Sequence, residues 1–117
     1  MTTAEEFFGS DSLGLAVFER MSSLLEEPIE VRVSRSQVAF RRRHGFAYLW
    51  MPGRYLHAPT AEVVLSIALG RHDPSPRFKE VSHPTPRHWM HHLEVHSLDD
   101  IDEQVTAWLI EAAARAT

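Results

Sequence analysis

The sequence specifies an α+β domain: a mainly antiparallel sheet of about five to six strands, flanked by an N-terminal and a C-terminal helix. Three observations carry this. Apolar residues recur with period two in short runs between positions 29 and 96, and with helical period toward both ends. The strand runs are joined by hairpin-length connections, which favours antiparallel pairing. Two tight turns, placed independently, put the same residues on the same face of the sheet. At 117 residues, the chain suits a single domain spanning 1–117.

In chain order, Thr3 and Glu6 have capping-box spacing for a short first turn, which Gly9 stops. Ser10, Asp11 and Ser12 are candidate caps for a helix with the stripe Leu13, Val17, Met21, Leu24 and Leu25, with Phe18 beside it and Pro28 at its end. Residues 29–33 alternate as a strand. A two-residue loop at Arg35 and Ser36 pairs Val33 with Val38 and Arg32 with Ala39. The next return is placed at His44 and Gly45, which pairs Arg43 with Phe46, Arg41 with Tyr48, Ala39 with Trp50, Phe40 with Leu49 and Val38 with Met51. Val31, Phe40 and Leu49 then share a core face, and Glu30, Arg41 and Tyr48 the other. After Pro52 and Gly53, a loop runs over 55–60. The fourth strand, 61–69, turns Val63, Leu65, Ile67 and Leu69 to the core and the smaller Val64, Ser66 and Ala68 away from it. Residues 78–83 and 88–96 are the fifth and sixth strands, parted by a turn at 84–86. Ser97 and Asp100 cap a closing helix with the stripe Ile101, Val105, Trp108, Leu109 and Ala112.

The chain has no cysteine, which excludes disulfides and thiolate metal sites and suits a reducing cytosol, so the expected location is cytoplasmic. The acidic N-terminus lacks the regions of a signal peptide, and the longest apolar stretch, around 63–69, is too short to cross a bilayer, so no membrane partner is expected. Net charge is −4, unevenly spread: residues 1–30 hold seven acids and one Arg, 31–97 hold ten bases and four acids, and 98–117 hold five acids and one Arg. All eight histidines lie between 44 and 96. The basic middle offers a surface for anions.

No Gly-rich phosphate loop, nucleophile elbow or zinc-protease helix is present. The residues that could recognise a ligand are Arg32, Arg41, Arg43, Tyr48 and Trp50, on one sheet face with Phe46. A guanidinium held between rings can meet a phosphate, a carboxylate or an unstacked base. The expected partner is therefore an anionic small molecule or single-stranded nucleic acid. His91, between Trp89 and Leu93, reads as a core histidine bonded to a backbone carbonyl. His92, Glu94 and His96 share the opposite face and, with His91, form the second polar candidate. Alternate strand residues stand ~7 Å apart, so no metal is expected there, nor any other cofactor. The leading reading is a non-catalytic binding or interaction module. The alternatives are a metal-dependent or His-based enzyme, or a structural homodimer that covers Tyr48, Trp50 and Met90.

The run from Val31 to Arg43 (VRVSRSQVAFRRR), then GFAYLW at 45–50, RFKEV at 77–81, HHLEV at 91–95 and the helix ending AWL at 107–109 together resemble a bacterial family known as domain of unknown function 5655. The likeness covers nearly the whole chain. Members of that family are sometimes labelled predicted transport proteins and sometimes sit beside nuclease-like modules. The resemblance implies no role for any single residue.

Overall fold

The computed structural model of the chain describes residues 3–26, 28–54 and 60–117. Most of the loop expected at 55–60 lies outside the described residues. Helix α1 (Ala4–Phe8) starts where the Thr3 hydroxyl accepts the Glu6 N–H at 3.1 Å, and it stops at Gly9, whose φ of 87° suits a residue without a side chain. Helix α2 (Leu13–Leu24) is capped by Ser12, which accepts the Leu15 N–H at 3.1 Å. Its Val17 and Met21 are fully buried.

Six strands follow: β1 (Glu30–Val33), β2 (Val38–Arg41), β3 (Gly45–Trp50), β4 (Val63–Leu69), β5 (Phe78–Thr85) and β6 (His88–Val95). They form one sheet in the order β1-β2-β3-β4-β6-β5, antiparallel throughout. The first hairpin has the expected register, with Val33 opposite Val38 and Arg32 opposite Ala39, closed by Ser34 N–H donating to Gln37 O at 2.9 Å.

The second hairpin corrects the expectation. Its loop is three residues, Arg42–Arg43–His44, closed by Arg42 N–H on His44 O at 3.0 Å. Gly45 therefore begins β3 opposite Arg41, and a bulge separates that pair from Phe40 and Ala47. Ala39 faces Tyr48 and Val38 faces Leu49. The pairings of Arg41 with Tyr48, Arg43 with Phe46 and Ala39 with Trp50 do not form. The reason lies at Gly45: the Tyr48 hydroxyl fills the space where a Cβ would stand, so glycine is needed inside the strand, not in the turn. The register moves by two residues, so the side chains from Ala47 onward keep their expected faces, whereas the bulge turns Phe46 away from the Tyr48 face and into the core.

Further boundaries move: β4 begins at Val63 and not at 61. β5 runs on to Thr85 and absorbs Pro84 through register shifts, leaving Pro86 and Arg87 as the turn. The capping box of Ser97 and Asp100 closes a 3₁₀ turn (Leu98–Asp100), because the Asp100 carboxylate folds back onto the His96 and Ser97 N–H groups at 2.7 and 3.1 Å. Helix α3 (Glu103–Arg115) starts on Asp102 instead, which accepts the Val105 N–H at 3.1 Å.

α2 and α3 both pack on one side of the sheet. Phe18 of α2 meets Phe40 with ring centroids 5.6 Å apart, and Trp108 of α3 meets Phe78 at 4.4 Å. Phe40, Leu49, Leu65, Ile67 and Leu109 are fully buried between these layers. The loop between β4 and β5 is tied down on α3: Arg71 grips Glu111 through two bonds at 2.8 and 3.0 Å, and Asp73 accepts the Trp108 indole N–H at 3.0 Å. The far side of the sheet carries no helix among the described residues.

Candidate functional site

Alternation along the strands delivers a defined set of side chains to that uncovered face. One cross-strand row reads Arg32, Ala39, Tyr48, Ser66, His92 and Glu80 from edge to edge, and the adjacent row carries Trp50, Val64 and Glu94. Small residues on β4 and larger ones on β3 and β6 make the surface concave. Ala39, Val64, Ser66 and Ala68 are buried at the bottom, while Tyr48, Trp50, Met90 and His92 stand half-buried around them.

The concavity is a trough. Its middle, about 420 Å³, is lined by Gln37, Tyr48, Trp50, Ser66, Met90 and His92. Tyr48 and Met90 are shared with a hollow of about 470 Å³ at one end, which Arg87, His88 and Arg115 also line. Trp50 and His92 are shared with one of about 350 Å³ at the other end, beside Lys79, Glu80 and Glu94. The trough therefore runs along β3 and β6, between a basic end and a mixed end.

Its floor is tied by hydrogen bonds across strands. The Trp50 indole N–H donates to Ser66 Oγ at 2.9 Å, Ser66 Oγ lies 2.7 Å from His92 Nδ1, and His92 Nε2 lies 3.3 Å from Ser82 Oγ. We assign the Nε2–H tautomer, because only then does the buried Ser66 hydroxyl find an acceptor, in Nδ1. Burial pushes the His92 pKa below its ordinary value, against the opposing pull of Glu80, so the ring is neutral at neutral pH.

The residues singled out in the sequence divide between places. Tyr48 and Trp50 line the trough, and His92 is part of its floor. Arg32 shares their face but stands on the edge strand, exposed and paired with Glu30 at 2.5 Å. Arg41 sits beside the hairpin loop with its Nε buried and without a hydrogen-bond partner, and Arg43 is exposed in the loop itself. Neither stands opposite the ring expected of it: Arg41 pairs with Gly45, and Arg43 lies in the loop. Phe46 is buried at the basic end, under the last turn of α3, where His44 N–H donates to Ala116 O at 3.0 Å.

His91 lies on the other side of the sheet, fully buried, with Nδ1 3.0 Å from Trp89 O, as expected of a core histidine. Its Nε2 accepts the Asp73 N–H at 2.9 Å, and burial holds its pKa down. His92, Glu94 and His96 do not act together. Glu94 takes hydrogen bonds from Thr60 and Lys79, which hold its pKa below the ordinary value, and His96 is exposed, 3.7 Å from Glu94. Among the described residues, no group of three or more His, Asp or Glu side chains is gathered closely enough to hold a metal ion. Nor, among them, is any helix long and apolar enough to cross a membrane.

Sequence reasoning missed Ser66, Ser82 and Gln37 as site residues; it read Met90 on this face only as apolar surface, and Arg87, with Arg77 and Lys79, only as an extension of the basic surface. For Ser66 there was a signal: one hydroxyl in the middle of a strand otherwise wholly apolar over 63–69.

No curated protein and no solved structure matches the chain. A family model described as domain of unknown function 5655 matches residues 16–114, from within α2 to the last turn of α3 and therefore across the whole sheet, and the chain belongs to that family.

Proposed function

We propose that this domain is a non-catalytic binding module, and that the trough on the helix-free face of its sheet receives a flat or extended ligand with an anionic group at one end. The observation that supports this most is the pair Tyr48 and Trp50, standing half-buried in a concave surface that no described helix covers. Aromatic faces left partly wet in a concavity gain from stacking on a planar group. Arg87 and Arg115 supply positive charge at one end, and Arg42 and Arg43 of the neighbouring loop add more beside it. The other end pairs Lys79 with Glu94 at 3.0 Å and gives no net attraction for an anion. A nucleotide or a short single strand fits that description: base on the rings, phosphate toward Arg87.

The test is a titration with mononucleotides and a short oligothymidine, followed by the Trp50 indole N–H resonance at low and high salt. Binding is expected to shift that resonance, to weaken as salt rises, and to weaken about tenfold in Arg87→Ala. No shift with any of these probes, or equal affinity for Arg87→Ala and Arg35→Ala, would end the proposal.

The 2.7 Å contact of Ser66 with His92 favours a second reading, a serine–histidine hydrolase. Against it, Trp50 already donates to the Ser66 oxygen that would have to attack. Labelling of Ser66 by a fluorophosphonate, lost in Ser66→Ala, would establish it.

A further inference from the structure

The two edges of the sheet are unlike. β5 is interrupted by register shifts between Phe78 and Glu80 and between Ser82 and Thr85, and it carries Pro84. Bulges and proline are the usual means of keeping a strand edge from pairing with another chain. β1 has neither: it runs in unbroken register against β2, and among the described residues nothing pairs with its other side. Among the described residues, the two exposed large apolar side chains, Val31 and Ile110, both lie on this flank, beside hollows that share Leu25 and Ile29.

We propose that β1 pairs antiparallel with β1 of a second copy of this chain, about a two-fold axis through Val31. Three independent features fit that one register. Ser34 donates a backbone bond to Gln37, so alternation along the ladder turns the N–H and C=O of Arg32 and Glu30 toward β2 and leaves those of Val31, Val33 and Ile29 pointing outward. An axis at Val31 sets Val31 opposite Val31 and Ile29 opposite Val33, so the outward groups meet each other. It also sets Glu30 of each copy opposite Arg32 of the other, on the same face, so the charges complement twice. An axis at Arg32 would place like charges opposite, and one between residues would oppose Val31 to Arg32 across the two faces. The apolar hollow beside Val31, formed by Leu25, Ile29 and Phe40, then faces its own copy. The result is one continuous sheet with both troughs open on the same side. This pairing does not depend on what the trough binds.

The experiment is sedimentation or light scattering of the full chain over roughly 10 μM to 1 mM, a range in which a short edge interface is expected to associate. The wild type is expected to shift from monomer to dimer. Val31→Pro removes an N–H that β2 does not use, so it should stay folded by circular dichroism and remain a monomer. Glu30→Arg should weaken the dimer about tenfold, and adding Arg32→Glu to it should restore association, because the pairing is then only reversed. A wild-type monomer at every concentration would overturn the proposal. So would a dimer that survives Val31→Pro, ignores both charge variants and dissociates only in Trp50→Ala, since the copies would then be meeting through the trough.

Discussion

Replacing His91 by Leu tests how the core and the loop between β4 and β5 depend on each other. The ring fills a fully buried site, with its edges on Trp89 O and the Asp73 N–H and its centroid 4.7 Å from that of Phe78. Leucine fills much of the volume but strands one acceptor and one donor. Each buried polar group left unpaired costs about 1–3 kcal/mol. The loop can recover part of this by turning Asp73 outward, at the expense of its bonds to Trp108 and Arg71. We expect a net loss of about 3 kcal/mol in urea unfolding at pH 7.5. The pH dependence carries the sharper signature. Burial lowers the folded-state pKa of His91 below its ordinary 6.5. The unfolded chain therefore takes up the proton first, and stability is full above pH 6.5. It falls by about 1.4 kcal/mol per pH unit below that, until the folded-state pKa is reached. His92, also lowered, adds to the same slope. His91→Leu should remove one histidine's share and flatten the curve below pH 6.5. An unchanged slope, or a loss below about 1 kcal/mol, would refute the reasoning.

Three other changes should give separable results. Gly45→Ala sets a methyl against the Tyr48 hydroxyl and should lower the thermal midpoint by several degrees for a cost of about 1 kcal/mol, with Tyr48→Phe in the same chain recovering most of it. Phe40→Ala, beneath Phe18 in the closed layer, should cost about 3–5 kcal/mol in urea unfolding. Arg77→Met removes bonds to Asp102, Gln104 and the Asp100 carbonyl, and should cost about 1–2 kcal/mol at low salt and less at high salt, read from urea midpoints.

Much of the sheet could be read from the chain because its first turn has only one economical form: Arg35 and Ser36 fix the β1–β2 register. The β2–β3 register escaped because Gly45 can serve a turn or a crowded strand, and only the Tyr48 ring decides between them. Beyond the bulge the true register differs by two, so the faces there were still assigned correctly and Tyr48 and Trp50 reached the uncovered side as expected, while Phe46, at the bulge, went to the core. The arginines did not follow them. Arg41 and Arg43 were placed by the turn and moved with it, whereas Arg87 belongs to a turn whose position depends on how β5 accommodates Pro84. Ser66 acquires its importance from Trp50 and His92, which lie 16 and 26 residues away and meet it only through strand pairing.

The chain of bonds under the trough has a direction. An indole can only give its proton, so Trp50 fixes the sense of everything after it: Ser66 receives from Trp50 and gives to His92, and His92 gives to Ser82. Along this line each proton is already committed until Ser82, whose own hydroxyl proton remains to be offered. At neutral pH the β5 side of the floor is thus a donor, while the Trp50 N–H is already given to Ser66. On the proposed reading, a guest would be sorted by which way round it lies, before any of its charges reach Arg87. Protonating His92 would place a hydrogen on Nδ1, turn the Ser66 hydroxyl away and reverse that bond, so acid should alter which orientation is accepted.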